Sequence, residues 1–213
     1  MKKFNHQDCE TLEQIMLHRR DVRGNRFLAK EIPQSALDKI LFAAINAPSV
    51  GFSQPWEFVI IKDKKRKQAI KETFVAANIN EKQQFDDAKQ SQYAALKLEG
   101  IHEAPLNIAV FYTPSKQPVL GQTNMPEVGP YSVVCAVQNM WLMARALNIG
   151  LGWVSILDPQ RVKQIVNAPA ENQLVAYLCL GYVDQFYASP ELEQKKWQAR
   201  KDFSSLVIDE SYA

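Results

Sequence analysis

Near the N-terminus, apolar side chains recur at helical intervals. In ETLEQIMLH (10–18), Leu12, Ile15 and Met16 fall at helical spacing, and arginines follow at once. A stronger helix comes next: Leu37, Ile40, Leu41 and Ala44 recur at i, i+3, i+4 and i+7, with Pro33 as a start signal just ahead. Pro48 and Gly51 then interrupt the pattern, so APSVGFSQP (47–55) reads as a loop. WEFVIIK (56–62) is β-branched and aromatic and predicts a strand. Residues 64–99 are rich in Lys, Gln, Ala and Glu and read as helix, but with too weak an apolar face for a core position. They fit equally a mobile cap over a site and a solvated surface helix.

NIAVFYT (107–113) predicts a second strand, LGWVSIL (151–157) a third and LVAYLCLGYV (174–183) a fourth. The fourth is apolar on both faces, which places it centrally in a sheet. Residues 131–148 form the best helix of the chain: Val133, Val137, Met140, Trp141, Ala144 and Leu147 line one face, and Val134 and Met143 widen it. A helix so broadly apolar belongs in a core or a subunit interface. Gly150 and Gly152 read as its stop and the start of the next strand, and Asp158–Pro159 as the N-cap and first position of a short helix. The Pro- and Gly-containing stretch 114–130 is long enough to imply a role in substrate or dimer contact. The charged C-terminal tail carries Trp197 and has little periodicity, as in tails that pack on a partner. Helices alternating with doubly apolar strands predict an α/β (α+β) fold, a three-layer α-β-α sandwich.

Composition narrows the class further. The 213 residues suit a single domain, 46% hydrophobic and 23% charged, able to bury a core without disulfides or metal. Net charge is +2, which argues against a general nucleic-acid surface but not against a basic pocket for one phosphorylated ligand. Cys9, Cys135 and Cys179 are too dispersed for a disulfide framework, and His6, His18 and His102 lack metal-ligand spacing. The polar first residues hold no signal-peptide core and no run reaches the length of a membrane span, so the cytoplasm is the expected location.

Three segments carry candidate chemistry. RRDVRGNR (19–26) sets Arg19, Arg20, Arg23 and Arg26 in a loop expected at a sheet edge, where guanidinium forks suit phosphate or carboxylate oxygens. Asp21 among these cations is expected to be held ionised. A solvated cluster of ion pairs fits the same run. PSVGFSQPW (48–56) offers Ser49, Ser53 and Gln54 beside the rigid Pro55 as donors to a flat polar ring, or else makes an ordinary helix-to-strand turn. GWVSIL (152–157) places Ser155 in a strand without a nucleophile elbow, so its hydroxyl reads as a hydrogen-bonding group in a pocket or a satisfied core serine.

Together these segments resemble the nitroreductase superfamily. The likeness rests on arginines after the first helix, PS…SQPW before a strand, and a long apolar helix later. RRDVR (19–23), APSVGFSQPW (47–56), KLEGIHEAPLN (97–107), YSVVCAVQNMWLMARA (131–146), GLGWVSIL (150–157), AYLCLGYV (176–183) and PELE (190–193) resemble more closely one branch. That branch makes 5,6-dimethylbenzimidazole, the lower ligand of cobalamin, from flavin. Ordinary nitroreductases usually carry Ser where this chain has Asp21.

The resemblance implies one nitroreductase-like FMN-binding domain over 1–213, with a mixed sheet and about 64–105 as a lid. It implies a homodimer with two FMN sites at the subunit interface. Arg19, Arg20 and Arg23, with Asp21 and Val22 between them, would hold the phosphate and ribityl side. Ser49, Ser53, Gln54 and Pro55 would line the flavin from the other subunit, and Leu98 would lie in the lid over the ring. Asp21 and Ser155 fall on the two chemically important positions and also contact the flavin. The implied reaction is the oxygen-dependent conversion of reduced FMN, as substrate, to 5,6-dimethylbenzimidazole with release of erythrose 4-phosphate. O2 is then co-substrate, and NAD(P)H acts indirectly through a flavin reductase that supplies reduced FMN. Two other functions fit the same residues: an NAD(P)H-dependent nitroreductase or flavin reductase, and a non-catalytic flavin-binding protein.

Overall fold

A computed structural model describes residues 1–212. Helix α1 (His6–His18) begins earlier than its apolar spacing indicates, because Asn5 and Asp8 form a reciprocal capping box. Its apolar residues find little cover within the chain: Leu12, Met16 and Leu17 are all exposed. Helix α2 (Gln34–Ile45) buries Ala36, Leu37, Ile40 and Ala44, close to the expected face, and leaves Phe42 and Ile45 exposed.

Four strands form one sheet: β1 (Trp56–Ile61), β2 (Leu106–Tyr112), β3 (Ile149–Val154) and β4 (Gln173–Tyr182). Their order is β1-β2-β4-β3, with every strand pair antiparallel. The expected mixed character is confined to one parallel bridge, Asp21 to Leu151, at the β3 edge. β4 is central, as its doubly apolar sequence requires.

The period-two alternation of β2 and β4 feeds two cores. Leu106, Ile108, Val110, Ala176, Leu178 and Leu180 face α2 and α5 (Val128–Ala146). Ala109, Phe111, Tyr177 and Cys179 face the opposite side, where they meet Ile70 and Phe74 of α3 (Lys64–Lys82) and Val162 of α6 (Pro159–Val166). The result is the three-layer sandwich. The Lys-rich segment after residue 63 thus contributes a true layer: α3 lays Lys67, Ile70 and Phe74 inward at helical spacing. The short α4 (Asp87–Ala94) follows it. No helix among the described residues is long and apolar enough to cross a membrane.

Candidate functional site

The arginine loop lies against the β3 edge because the strand makes room for it. The Val22 N–H donates to Leu151 O at 3.1 Å. A Cβ at position 152 would collide with the Val22 carbonyl, and one at 150 would press on the Val22 side chain. Gly150 is therefore not the expected helix stop; it lies inside β3 with Gly152, where Gly150 leaves room for the Val22 and Val183 side chains and Gly152 for the Val22 backbone. The stop is made instead by Asn148, in the left-handed conformation at φ +55°. Val22 itself is buried, and its side chain belongs to the packing of this loop.

Each charged residue of the loop has a different task. The buried Arg20 donates from Nε to Tyr187 O at 3.0 Å, from Nη1 to Leu17 O and Arg19 O at 2.7 Å each, and from Nη2 to Ala188 O. It fastens the C-terminal segment to the loop. Arg23 donates to Trp153 O at 3.0 Å and pairs with Asp21. Arg19 stacks on Trp141, its guanidinium carbon 4.6 Å from the ring centroid. Arg26 pairs with Asp184 at 3.0 Å and stacks on Tyr187, outside the cleft.

These side chains floor a cleft of about 160 Å³ lined by Arg19, Arg20, Asp21 and Arg23, then by Leu96, Lys97 and Leu98, and closed by Pro190, Glu191 and Leu192. Asp21 accepts the Trp153 N–H at 3.0 Å, so its carboxylate is fixed by the edge strand as well as by Arg23. Enclosure by protein pushes the Asp21 carboxyl above its usual range, outweighing Arg23, the Trp153 N–H and Arg19, which pull it down. Its side chain is 37% exposed, yet it lines a narrow cleft rather than an open surface. The arginines favour the carboxylate form, as expected, while burial acts in the opposite direction and is the larger influence.

Leu98 joins the arginines in this cleft. Behind it, the buried Glu99 pairs with Lys71 and, at 2.8 Å, with Lys97, and accepts the Ile101 N–H at 2.8 Å. Burial pushes the Glu99 carboxyl up, but those hydrogen bonds win and hold it below the usual range. Ser155 sits one residue past the end of β3 and is exposed, rather than inside a strand. Two residues from Trp153, it lies about 7 Å along the backbone from the group that anchors Asp21.

Ser49, Ser53, Gln54 and Pro55 lie at the opposite edge of the sheet, in the turn that enters β1. Ser49 Oγ accepts the Gln54 N–H at 3.0 Å, and Gly51, Phe52 and Gln54 all have positive φ. Two non-glycine residues in that region cost about 1 kcal/mol each, a strain that clusters at ligand-binding sites. Ser53, Gln54 and Pro55 line a separate hollow of about 300 Å³ with Tyr112 and Thr113. Ser53 Oγ and Thr113 Oγ1 there are buried with no hydrogen-bond partner among the described residues. One chain thus holds the two groups of expected residues on opposite sheet edges. A wider hollow of about 640 Å³, beside Lys62, Lys67 and His102, contains none of the expected residues.

Sequence reasoning missed Trp153, which ties both Asp21 and Arg23, and Trp141, which supports Arg19 and donates to Arg20 O at 3.1 Å. Both are aromatic residues that simply read as core. The signal for Trp153 was its place between Gly152 and the end of an edge strand.

A three-layer sandwich with a basic cleft at one sheet edge defines the class of protein, and a model of the nitroreductase family matches residues 16–182; the chain belongs to that family. The 5,6-dimethylbenzimidazole synthase of Rhodospirillum rubrum is 43% identical to it over 192 residues, 89% of this chain and 90% of that one. The enzyme of the same name from Rhodobacter capsulatus is 34% identical over 197 residues, 92% and 94% of the two chains. Oxidized iodotyrosine deiodinase bound to FMN and 3-iodo-L-tyrosine shares the fold, with a TM-score of 0.74 over 95% of this chain and 100% of that one at 22% identity. A nitroreductase with bound FMN from Bacteroides fragilis has a TM-score of 0.60 over 84% and 89% of the two chains, at 23% identity.

Proposed function

We propose that this chain converts reduced FMN and O2 to 5,6-dimethylbenzimidazole, releasing erythrose 4-phosphate, and that it does so as a cytoplasmic homodimer. The observation that carries the reading is Asp21: a carboxyl with a raised pKa, anchored between arginines at the floor of a basic cleft. A simple flavin reductase needs only to bind its flavin there. Breaking the ribityl chain requires proton movement beside it, and a carboxyl can take up and return a proton where a serine hydroxyl does not. The two synthases at 43% and 34% identity support the same reading.

The residues present fit FMN. Arg19 and Arg23 with Lys97 offer a cationic cleft for a phosphate. The orphaned Ser53 and Thr113 hydroxyls offer hydrogen bonds to a polar ring edge. Each hollow alone falls below or at the bottom of the usual ligand-pocket range of roughly 300–1,000 Å³. A second subunit that brings its Ser49–Pro55 turn to the first subunit's arginines resolves that shortfall. The exposed Leu12, Met16, Leu17, Phe42 and Ile45 supply apolar surface for such a contact.

When bound, the reduced flavin supplies the electrons that O2 accepts, delivered by a separate NAD(P)H-dependent flavin reductase. Arg19 and Arg23 bind and orient the phosphate side. Asp21 moves a proton at the ribityl chain, and the Ser155 hydroxyl positions a heteroatom of the ring. Leu98, with Leu96 and the Pro190–Leu192 segment, excludes water from the cleft.

Aerobic incubation with reduced FMN tests this directly, with products read by chromatography and mass. Dimethylbenzimidazole with matching loss of flavin is the expected result. Intact FMN with only hydrogen peroxide formed overturns it in favour of a nitroreductase or flavin reductase.

A further inference from the structure

The C-terminal segment crosses the cleft between two anchors. At one end, Arg20 holds Tyr187 and Ala188 by their carbonyls. In the middle, Pro190, Glu191 and Leu192 form one cleft wall opposite Leu96–Leu98. At the far end Trp197 is clasped by the helical segment that leads into Leu96. Its ring lies 5.2 Å from that of Phe85, edge-on, and 6.2 Å from that of Tyr93, whose own ring is 5.5 Å from Phe85. Lys89 Nζ stands 4.5 Å from the Trp197 ring centroid and donates to Trp197 O at 3.2 Å. Tyr93 OH donates to Asn78 at 2.7 Å, which ties the clasp back to α3.

This arrangement is local. Phe85, Tyr93 and Trp197 belong to neither of the two cores that hold the sheet. Their contact joins two segments that both also line the arginine cleft. Nothing in the fold of the sandwich requires it.

We propose that Trp197 is a latch: it fastens the 85–98 segment to the C-terminal strap, so that both walls stay closed over the cleft and retain its ligand. Trp197 does not line the cleft and acts as a positioning residue. The latch rests on the reading of the cleft as a flavin site, since what it retains is FMN.

The test compares the full chain with Trp197→Ala and with the conservative Trp197→Phe. Backbone hydrogen exchange is measured without added flavin. Trp197→Ala is expected to speed exchange across 85–98 and 187–197 about tenfold while the sheet amides are unchanged, with Trp197→Phe in between. FMN dissociation should accelerate by a similar factor in Trp197→Ala, again with partial rescue by Phe. Unchanged exchange in 85–98 beside normal FMN binding overturns the latch alone. Faster exchange spread evenly through the sheet also overturns it, by making Trp197 a general prop of the fold. A wild-type chain that binds no FMN overturns the flavin reading and the latch with it.

Discussion

At Asp21, burial and neighbouring cations pull one carboxyl in opposite directions, and burial is the larger influence. Its folded-state pKa is raised, so the folded protein binds that proton more tightly than the unfolded chain. The contribution to stability is present at acid pH and is lost as pH rises through the raised value. Asp21→Asn removes the ionisation at little steric change. Its melting temperature is expected to equal or exceed the wild type's at pH 7 and to converge on it at pH 4, as thermal melts at the two values will show. The same variant should bind FMN normally and form dimethylbenzimidazole about 10²-fold or more slowly. Ser155→Gly should likewise spare FMN binding while lowering product formation; unchanged turnover in either variant removes that residue from the chemistry. Asp21 itself was legible as a residue among arginines. Its raised pKa was not, because burial depends on the enclosing 96–98 and 190–192 segments, which are distant in sequence.

At the scale of elements, the site depends on a loop laid against a strand edge. Gly152→Ala places a Cβ against the Val22 carbonyl, which is backbone and cannot rotate away. The variant should lose about 1–3 kcal/mol of stability and bind FMN about tenfold more weakly, checked by denaturant unfolding and flavin titration. An unaffected FMN affinity would mean that the 19–23 loop can shift without consequence for the site. The Glu99 cluster makes a complementary case. Its carboxyl is held below the usual range, so its stabilisation is present at neutral pH and disappears as pH falls through the depressed value. Glu99→Gln should cost about 3 kcal/mol at pH 7, the low end for a broken buried pair because Lys71 and Lys97 still reach water. That deficit should shrink in acid; a constant deficit from pH 7 to pH 3 would show that the ion pairs are not its source. Periodicity located most elements closely, since the alternation in β2 and β4 and the 3.6-residue spacing in α2 and α5 are what the two cores require. It failed where a partner decides. Nothing local distinguishes a glycine that ends a helix from one that admits a neighbouring backbone, and α3 looked solvated because only Lys67, Ile70, Thr73 and Phe74 turn inward.

At the scale of the whole molecule, the arginine cleft and the Ser49–Pro55 turn lie on opposite edges of one sheet, three strand spacings or about 14 Å apart. Chain order gave no hint of this division, because Arg23 and Ser49 are close in sequence and strand order, not sequence, separates them. If each FMN is held by the arginine edge of one subunit and the Ser49–Pro55 edge of the other, two defective chains can repair each other. Arg19→Glu cripples the first edge, and a combined Ser53→Ala and Gln54→Ala change cripples the second. Each alone should form dimers with almost no flavin sites. In a mixed dimer, one site collects both defects, while the other joins a sound arginine edge to a sound turn. Co-expression at equal levels makes half of the dimers mixed and restores one of two sites in each, so about one quarter of wild-type FMN capacity should return. The measurement is flavin bound per subunit, with size and subunit composition checked on the same sample. If mixing restores nothing although mixed dimers form, both edges must serve the same flavin within one chain, and the shared site is wrong. Recovery near one quarter requires that the second subunit complete the site, and makes the exposed apolar faces of α1 and α2 the next place to locate the contact.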